Sequence, residues 1–193
     1  ELLKEFKLFE KEAGGQLSRF LYLATPPANY EDILNNLHKS GLSEGESTGV
    51  IVEKPFGKDL ETAIALDKKL SEIFEEKQIF RADHYLGKET VQNILAFRFA
   101  NGIFDPVWNK NYLDHIQISW GETKGIEGRG NFFDGVGILR DLLQNHVMQL
   151  VAAVAMEQPK SFSREGLRDE RARVIKALRF INETEVDKYV VRG

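Results

Sequence analysis

Apolar residues recur with helical spacing in three segments of the first half of the chain. Residues 2 to 12 carry one apolar stripe among lysines and glutamates, which predicts an amphipathic helix ended by Gly14. Residues 33 to 37 predict a second helix that Gly41 could cap. Asp59 is a suitable N-cap for a third helix, because its carboxylate can accept a backbone N–H of the first turn.

Two short apolar runs lie between these predicted helices. They occupy residues 19 to 24 and 49 to 52 and are followed by Pro26 and Pro55, a pattern typical of buried strands that end in turns. Strands that alternate with helices pair in parallel through crossover connections. We therefore expect an α/β fold in which residues 1 to about 82 form part of a Rossmann-like, doubly wound parallel sheet, with ligands beyond the carboxyl ends of its strands.

The second half of the chain has a different pattern. Residues 88 to 100 predict a helix, and alternation over 114 to 120 predicts a strand. Residues 138 to 156 are apolar almost all round, which predicts a long, deeply buried helix. Residues 164 to 181 predict a last amphipathic helix, and an extended segment is expected to begin at Tyr189. This half is expected to form part of an α+β domain.

Composition narrows the class of protein. With 42% hydrophobic and 29% charged residues the chain resembles an ordinary soluble globular protein, and its net charge of -4 gives no electrostatic case for binding nucleic acid or an anionic membrane. The sequence has no cysteine, which argues against a thiolate metal site and favours a reducing, cytoplasmic location. The longest apolar run, Leu150 to Met156, is too short to span a bilayer.

A first group with candidate chemistry is Glu53-Lys54-Pro55, at the end of the second predicted strand. A residue before proline is held extended, so Lys54 should project from the strand end into the ligand crevice. The alternative is a surface lysine at a strand terminus. Strand-E-K-P is similar to the sugar oxidoreductases of the glucose-fructose oxidoreductase and inositol dehydrogenase family.

A second group is the nonapeptide from Arg81 to Glu89. Its His84, Tyr85 and Lys88 side chains supply three donors of different reach, the kind of set that grips a phosphate monoester dianion. In an extended segment neighbouring side chains point to opposite sides, which would leave Asp83 free to orient another group. The alternative is a helix N-terminus capped by Asp83, with His84 and Lys88 solvated.

A third group lies within the predicted buried helix, from Arg140 to His146. On a period of 3.6 residues Asp141 and Asn145 are neighbours, whereas His146 is displaced by roughly 140° from Asp141. The two side chains could still flank one bound sugar. A lone buried histidine is more often a satisfied core residue, and this alternative stays open on the residues by themselves.

The nonapeptide resembles the substrate signature R-I-D-H-Y-L-G-K-E of the glucose-6-phosphate dehydrogenase family, and differs from it only at Ala82. The stretch R-D-x-x-Q-N-H ending at His146, and the segments 127–130 and 98–101, resemble the same family in the same order. The resemblance extends from about Phe20 over nearly the whole remaining chain.

This resemblance implies roles for individual residues. His146 would be the general base that takes the proton of the anomeric hydroxyl, with Asp83 as the carboxylate that holds its imidazole. His84, Tyr85 and Lys88 would bind the phosphate. The other implied contacts are Lys54 to substrate and cofactor, Glu122 and Asp141 to sugar hydroxyls, and Pro26 and Tyr30 at the border of the NADP site. No metal is implied.

The chain also departs from the family pattern, because no G-x-G-x-x-G occurs in it. We therefore expect a central fragment of such a dehydrogenase. Residues 1–82 would be the C-terminal part of the Rossmann-like NADP-binding domain, and residues 83–193 the N-terminal part of the substrate domain. The parent would oxidise glucose 6-phosphate to 6-phosphogluconolactone with NADP as a dimer or tetramer, and the fragment would show little turnover by itself.

Two other functions remain possible on the sequence. One is a sugar oxidoreductase that acts on an unphosphorylated substrate, for which E-K-P fits but the cluster of His84, Tyr85 and Lys88 has no use. The other is a non-catalytic module that binds sugar phosphates, in which Asp83 and His146 are structural.

Overall fold

The computed structural model describes residues 1–121, 123 and 125–191. The chain divides into two compact units, of which the first contains Glu1–His84 and Gly128–Asp141 and the second contains Tyr85–Glu127 and Leu142–Gly193. The strands are β1 (Arg19–Leu23), β2 (Thr48–Val52) and β3 (Ile79–Arg81). The main helices are α1 (Leu2–Ala13), α2 (Tyr30–Lys39), α3 (Leu60–Ser71), α4 (Glu89–Phe99), α5 (Gly130–Ile138), a π-helix (Leu139–Val147), α6 (Met148–Ala155), α7 (Arg164–Ala177) and α8 (Val186–Tyr189).

A three-stranded parallel sheet in the order β1-β2-β3 forms the centre of the first unit. The sheet and helices α2 and α3 contribute the buried side chains of its core, which are Leu23, Tyr30, Leu34, Val50, Val52, Leu70, Phe74 and Ile79. The predicted Rossmann-like α/β class is therefore confirmed for this part of the chain. The strand β3 was missed because only two of its three residues are apolar, which is too short a run to recognise.

The prediction that β1 is buried throughout was wrong. Its burial alternates, and Phe20 and Tyr22 are more than half exposed on the face of the sheet that points away from the core. On that face the rings of Phe20 and Phe80 meet edge to face, 5.5 Å apart. Both rings lie beside Gly49, where an added Cβ would come within 2.9 Å of Phe80, so the absence of a side chain allows this packing.

Helix α1 ends, and helix α3 begins, where the capping residues predict. Helix α1 ends at Gly14, whose φ of 72° is left-handed. Asp59 and Thr62 form a reciprocal capping box at the start of α3. Gly41 has a φ of 73° just after α2, so glycine supplies the chain reversal there as expected.

Replacing Asp59 by alanine is expected to destabilise the chain at neutral pH. The Thr62 backbone N–H donates to Asp59 Oδ1 at 2.9 Å, and this bond lowers the pKa of the carboxyl group. A carboxyl whose pKa is lower in the folded state contributes stability above its unfolded pKa, and loses it as the pH falls through the folded value. In urea unfolding, the difference in free energy of unfolding between wild type and Asp59→Ala should be largest at pH 7 and should shrink at acidic pH.

The matched control is Asp169→Ala, at an exposed position of α7. It should leave the urea midpoint nearly unchanged. A difference between wild type and Asp59→Ala that is constant with pH would show that the helix is not stabilised through the ionised cap.

Helices dominate the described part of the second unit. Helix α4 packs on α6, and α6 packs on α7, around buried residues that include Val91, Ala152, Ala153 and Met156. The predicted strand over 114–120 was wrong, because this segment has no strand structure. The described residues of the second unit contain no strand with which this segment could pair.

The segment from 138 to 156 is not one deeply buried α-helix. Gly137, with φ 73° and ψ 163°, breaks the helical backbone, and residues 139–147 are wound as a π-helix. Ile138 and Leu139 are exposed, whereas Asp141 and His146 are buried. The apolar character of the segment therefore did not indicate which of its side chains face inward.

The end of the chain also differs from the prediction. Helix α7 ends at Ala177, four residues before the predicted end. Tyr189 belongs to α8, and an extended conformation begins only at Val190. Among the described residues, no helix combines the length and hydrophobicity needed to cross a bilayer.

Candidate active site

Three of the predicted site residues follow the carboxyl ends of the sheet strands in the first unit. Pro26 comes after β1, Lys54 after β2 and Asp83 after β3. The Ala82 N–H donates to the Val52 carbonyl at 2.9 Å, so the pairing of β2 and β3 continues up to Asp83. Parallel strands end at one edge of a sheet, and this edge is where such sheets bind ligands.

Tyr30 fastens two of these strand ends to each other. Its hydroxyl lies 3.5 Å from the Leu23 carbonyl and 3.4 Å from the Glu53 carbonyl, to which it can donate. Burial raises the pKa of this phenol, with a further contribution from the charge of Glu53. Tyr30 thus keeps its proton and can donate it to a carbonyl at either strand end. Pro26, at the same edge of the sheet, is exposed. Their predicted place beside a cofactor stays a prediction.

Lys54 is held in the first unit by a buried carboxylate. Its Nζ donates to Oδ1 of Asp141 at 3.0 Å and to the Asp141 carbonyl oxygen at 3.2 Å. Asp141 is only 3% exposed, and a buried carboxylate requires such a partner because of the cost of desolvation. The structure therefore brings together two residues that were predicted separately. The Lys54–Pro55 peptide bond is cis.

The first residue of the nonapeptide has a structural role in the first unit. Arg81 forms ion pairs with Glu76 at 2.8 Å and with Asp67 at 2.5 Å, and its guanidinium lies over the Phe56 ring. Its donors are directed at these neighbours. Arg81 thus contributes contacts between elements of the first unit.

The prediction that the nonapeptide is extended around His84 was wrong. Residues 84–87 form a 3₁₀ turn, and Lys88, not Asp83, is the N-cap residue of α4. His84 and Lys88 are exposed, as a role in binding an anion from solution requires. Because residues three apart eclipse one another in a 3₁₀ turn, the turn brings Lys88 back over Tyr85.

An aromatic cluster surrounds Tyr85 in the second unit. The His146 imidazole stacks on the Tyr85 ring with centroids 4.0 Å apart and an interplanar angle of 14°. The Lys88 Nζ lies over the same ring, 3.6 Å from its centroid. Trp120 meets the ring edge to face at 6.4 Å. The predicted base His146 and the predicted phosphate ligand Lys88 thus both contact the ring of Tyr85, which is itself a predicted phosphate ligand.

His146 is 2% exposed, although it comes from a segment with several exposed apolar residues. The predicted displacement of 140° between Asp141 and His146 does not hold, because this segment is a π-helix. A π-helix bonds residue i to i+5, so angles calculated from a 3.6-residue period do not apply. π-Turns within helices are frequent at functional sites.

Two residues of the second unit with specific contacts, Trp120 and Arg98, were not assigned a role from the sequence. Trp120 ends the segment 114–120, where the predicted strand is absent, and nothing in the sequence indicated its packing on Tyr85. Arg98 was noted only within a motif, and its buried guanidinium in fact donates to carbonyls at the end of α6. Glu122 lies outside the described residues.

The comparisons with known proteins agree over the whole chain. Residues 1–93 match the family "Glucose-6-phosphate dehydrogenase, NAD binding domain", and residues 95–193 match "Glucose-6-phosphate dehydrogenase, C-terminal domain". A glucose-6-phosphate 1-dehydrogenase of Borreliella burgdorferi is 47% identical over 95% of this chain and 40% of its own length. A glucose-6-phosphate 1-dehydrogenase 2 of Mycobacterium bovis is 46% identical over the full chain and 38% of its own length.

A solved structure of a glucose-6-phosphate dehydrogenase in complex with its substrate glucose-6-phosphate is also similar. It is 42% identical, superimposes with a TM-score of 0.87, and is matched over 95% of this chain and 38% of that chain. The chain thus spans about two fifths of the length of the relatives it matches. With matches that together cover nearly every residue, the chain belongs to the glucose-6-phosphate dehydrogenase family.

Proposed function

We propose that this chain carries the sugar-phosphate site and the general base of an NADP-dependent glucose-6-phosphate 1-dehydrogenase. The observation that carries the proposal is the aromatic cluster of the second unit. There the buried His146 stacks on Tyr85, and Lys88 lies over the same ring. A base positioned beside groups suited to hold a phosphate is what oxidation of a phosphorylated sugar requires.

In the proposed reaction His146 accepts the proton of the C1 hydroxyl while the C1 hydride leaves, and the C1–O bond becomes the lactone carbonyl. Asp83 is proposed as the carboxylate partner of this base. An imidazole is suited to the task because its ordinary pKa lies near neutrality. The product is 6-phosphogluconolactone.

His84, Tyr85 and Lys88 are proposed to bind the phosphate, and each charge-assisted bond contributes about 1.5–3 kcal/mol. Lys54 and Asp141, already paired at 3.0 Å, are proposed to bind the sugar, and Glu122 is proposed to bind a sugar hydroxyl. Because Asp141 accepts and Lys54 donates, the pair presents both polarities that a hydroxyl needs.

NADP, which accepts the hydride when bound, is the proposed cofactor. The residues proposed to border it are Pro26, Tyr30 and Lys54, at the carboxyl edge of the sheet. The edge fits this use because Tyr30 fixes two strand ends and Pro26 is exposed. No G-x-G-x-x-G occurs in the chain, so these residues would contribute only part of a dinucleotide site.

The proposal includes the wider setting that the sequence predicts. Residues 1–82 would belong to the NADP-binding domain and residues 83–193 to the substrate domain. The complete enzyme would act in the cytoplasm as a homodimer or homotetramer. The family assignment favours this function over a sugar oxidoreductase for unphosphorylated substrates and over a non-catalytic binding module.

Titration calorimetry of the chain with glucose 6-phosphate and with glucose tests the proposal. The phosphate ester should bind and glucose should bind far more weakly. Lys88→Ala should weaken binding of the ester by about tenfold or more, because a charge-assisted bond is lost.

Lys110→Ala is the matched control, since Lys110 is an exposed lysine of the same unit. It should leave the affinity unchanged. Equal binding of ester and sugar, or equal effects of the two lysine substitutions, would contradict the assignment of the phosphate site. Absence of binding to either compound would contradict the proposal that this chain carries an assembled site.

A further inference from the structure

The Tyr85 side chain, in the second unit, has two groups that can act separately, its hydroxyl and its aromatic ring. Its hydroxyl is the part that a phosphate would contact. Its ring is contacted by two other groups, since the His146 ring stacks on it with centroids 4.0 Å apart and the Lys88 Nζ lies over it, 3.6 Å from its centroid. Both contacts are made with the ring and not with the hydroxyl.

This arrangement fixes the plane of the imidazole without using its nitrogens. The two rings are within 14° of parallel, so contact is made through the π faces. Both ring nitrogens of His146 lie in the plane of the imidazole, and their hydrogen-bonding directions therefore run parallel to the Tyr85 face. Stacking thus sets the tilt of the imidazole through its π face, by a contact that does not involve its nitrogens.

The ring of Tyr85 is itself held from other directions. Trp120 contacts it edge to face with an interplanar angle of 67°, which limits sliding of the phenol. The Lys88 ammonium over the ring is attracted by the negative quadrupole of the ring face. The 3₁₀ turn of residues 84–87 sets the position of both Tyr85 and Lys88. The local backbone therefore sets the position of the ring on which the imidazole stacks.

We infer that Tyr85 is a positioning residue for the general base, acting through its ring on His146, in addition to any contact of its hydroxyl with phosphate. That His146 is a general base rests on the proposed function, whereas the stacking of its ring on Tyr85 is independent of that function. It predicts that the ring and the hydroxyl of Tyr85 can be separated by substitution. Phenylalanine keeps the ring, and leucine keeps much of the apolar volume without it.

Histidine-selective NMR of the chain tests the inference. A proton above an aromatic ring is shifted upfield, so the His146 ring protons should be upfield of those of the exposed His38 and His115. The His146 signals are assigned by their loss in His146→Asn. Tyr85→Phe should retain the upfield shift, and Tyr85→Leu should abolish it and narrow the His146 lines as the imidazole becomes mobile.

The wild-type spectrum decides the matter even if Tyr85→Leu does not fold. His146 signals at the positions of His38 and His115, or an upfield shift that survives in a folded Tyr85→Leu chain, would overturn the inference. The measurement uses no substrate. Failure of the stack is therefore distinguishable from failure of glucose 6-phosphate to bind, which would overturn only the proposed function.

Discussion

Replacing His146 by asparagine is expected to lower kcat by about a hundredfold or more, because general base catalysis contributes roughly 10² to 10⁴ in rate. The measurement requires a protein of full family length. A suitable one is the Borreliella burgdorferi relative with its matching segment replaced by this chain, which is 47% identical to it. The KM for glucose 6-phosphate should change little, since the proposed phosphate ligands remain.

The control for this prediction is His115→Asn. His115 is two-thirds exposed and its Nδ1 lies 2.8 Å from the Asp114 carboxylate, so its loss should not alter kcat or KM. Reduction of NADP, followed at the absorbance of the nicotinamide, gives both constants. Equal kcat values for His146→Asn and the parent chimera would favour the non-catalytic module, in which His146 is only a core residue.

The first unit could largely be predicted from the sequence because its signals are local. The apolar stripe of α1, the Asp59 cap of α3 and the proline-stopped runs of β1 and β2 depend on residues within one element. The exposed face of β1 could not be predicted, since it depends on what lies against the sheet. Phe20 is apolar yet more than half exposed. The apolar character of a residue does not by itself show whether it is buried or exposed.

The candidate site shows the same division. The nonapeptide and the R-D-x-x-Q-N-H stretch could be singled out as candidates because their polar side chains stand at nearly consecutive positions. Their geometry was predicted incorrectly, because the 3₁₀ turn at 84–87 and the π-helix at 139–147 replace the assumed extended and α-helical backbones. Both irregular segments carry proposed site residues. The stack of His146 on Tyr85 joins positions 61 apart in the sequence, and no periodicity predicts such a contact.

Arg98 donates hydrogen bonds to the end of α6, the helix that follows His146. Its side chain is 6% exposed and donates to the Ala153 carbonyl at 2.8 Å and to the Met156 carbonyl at 2.7 Å. Trp108 Nε1 donates to the Val154 carbonyl at 2.9 Å. The last carbonyls of a helix lack partners within it, so these two side chains supply donors to the Ala153 and Val154 carbonyls of the last turn of α6 and to the Met156 carbonyl that follows it.

Burial lowers the pKa of the Arg98 guanidinium, yet an arginine remains charged in proteins. The charge is accommodated by the carbonyl dipoles and by the flat contacts with Phe99 and Trp108, whose ring centroids lie 4.6 Å and 5.2 Å away. Removing the side chain would leave buried carbonyls without donors. A charge-assisted bond contributes about 1.5–3 kcal/mol, but removing Arg98 also relieves the cost of burying its charge.

We therefore expect Arg98→Ala to lower the free energy of unfolding by about 2–4 kcal/mol, which is a large part of the stability of an ordinary domain. The comparison is Arg179→Ala. Arg179 likewise makes two hydrogen bonds, to the side chains of Tyr189 and Glu185, but its side chain is 58% exposed. Exposed pairs contribute about 0–1 kcal/mol, so this variant should unfold near the wild-type urea midpoint.

Urea unfolding followed by circular dichroism separates the two arginines. If Arg98→Ala does not fold, Arg98→Lys supplies the measurement, since lysine keeps the charge but loses the forked pair of donors. Similar small losses for the Arg98 and Arg179 variants would mean that solvent replaces the missing donors at the end of α6. A large loss confined to Arg98 would mean that the position of the helix after His146 depends on a residue that contacts neither proposed ligand.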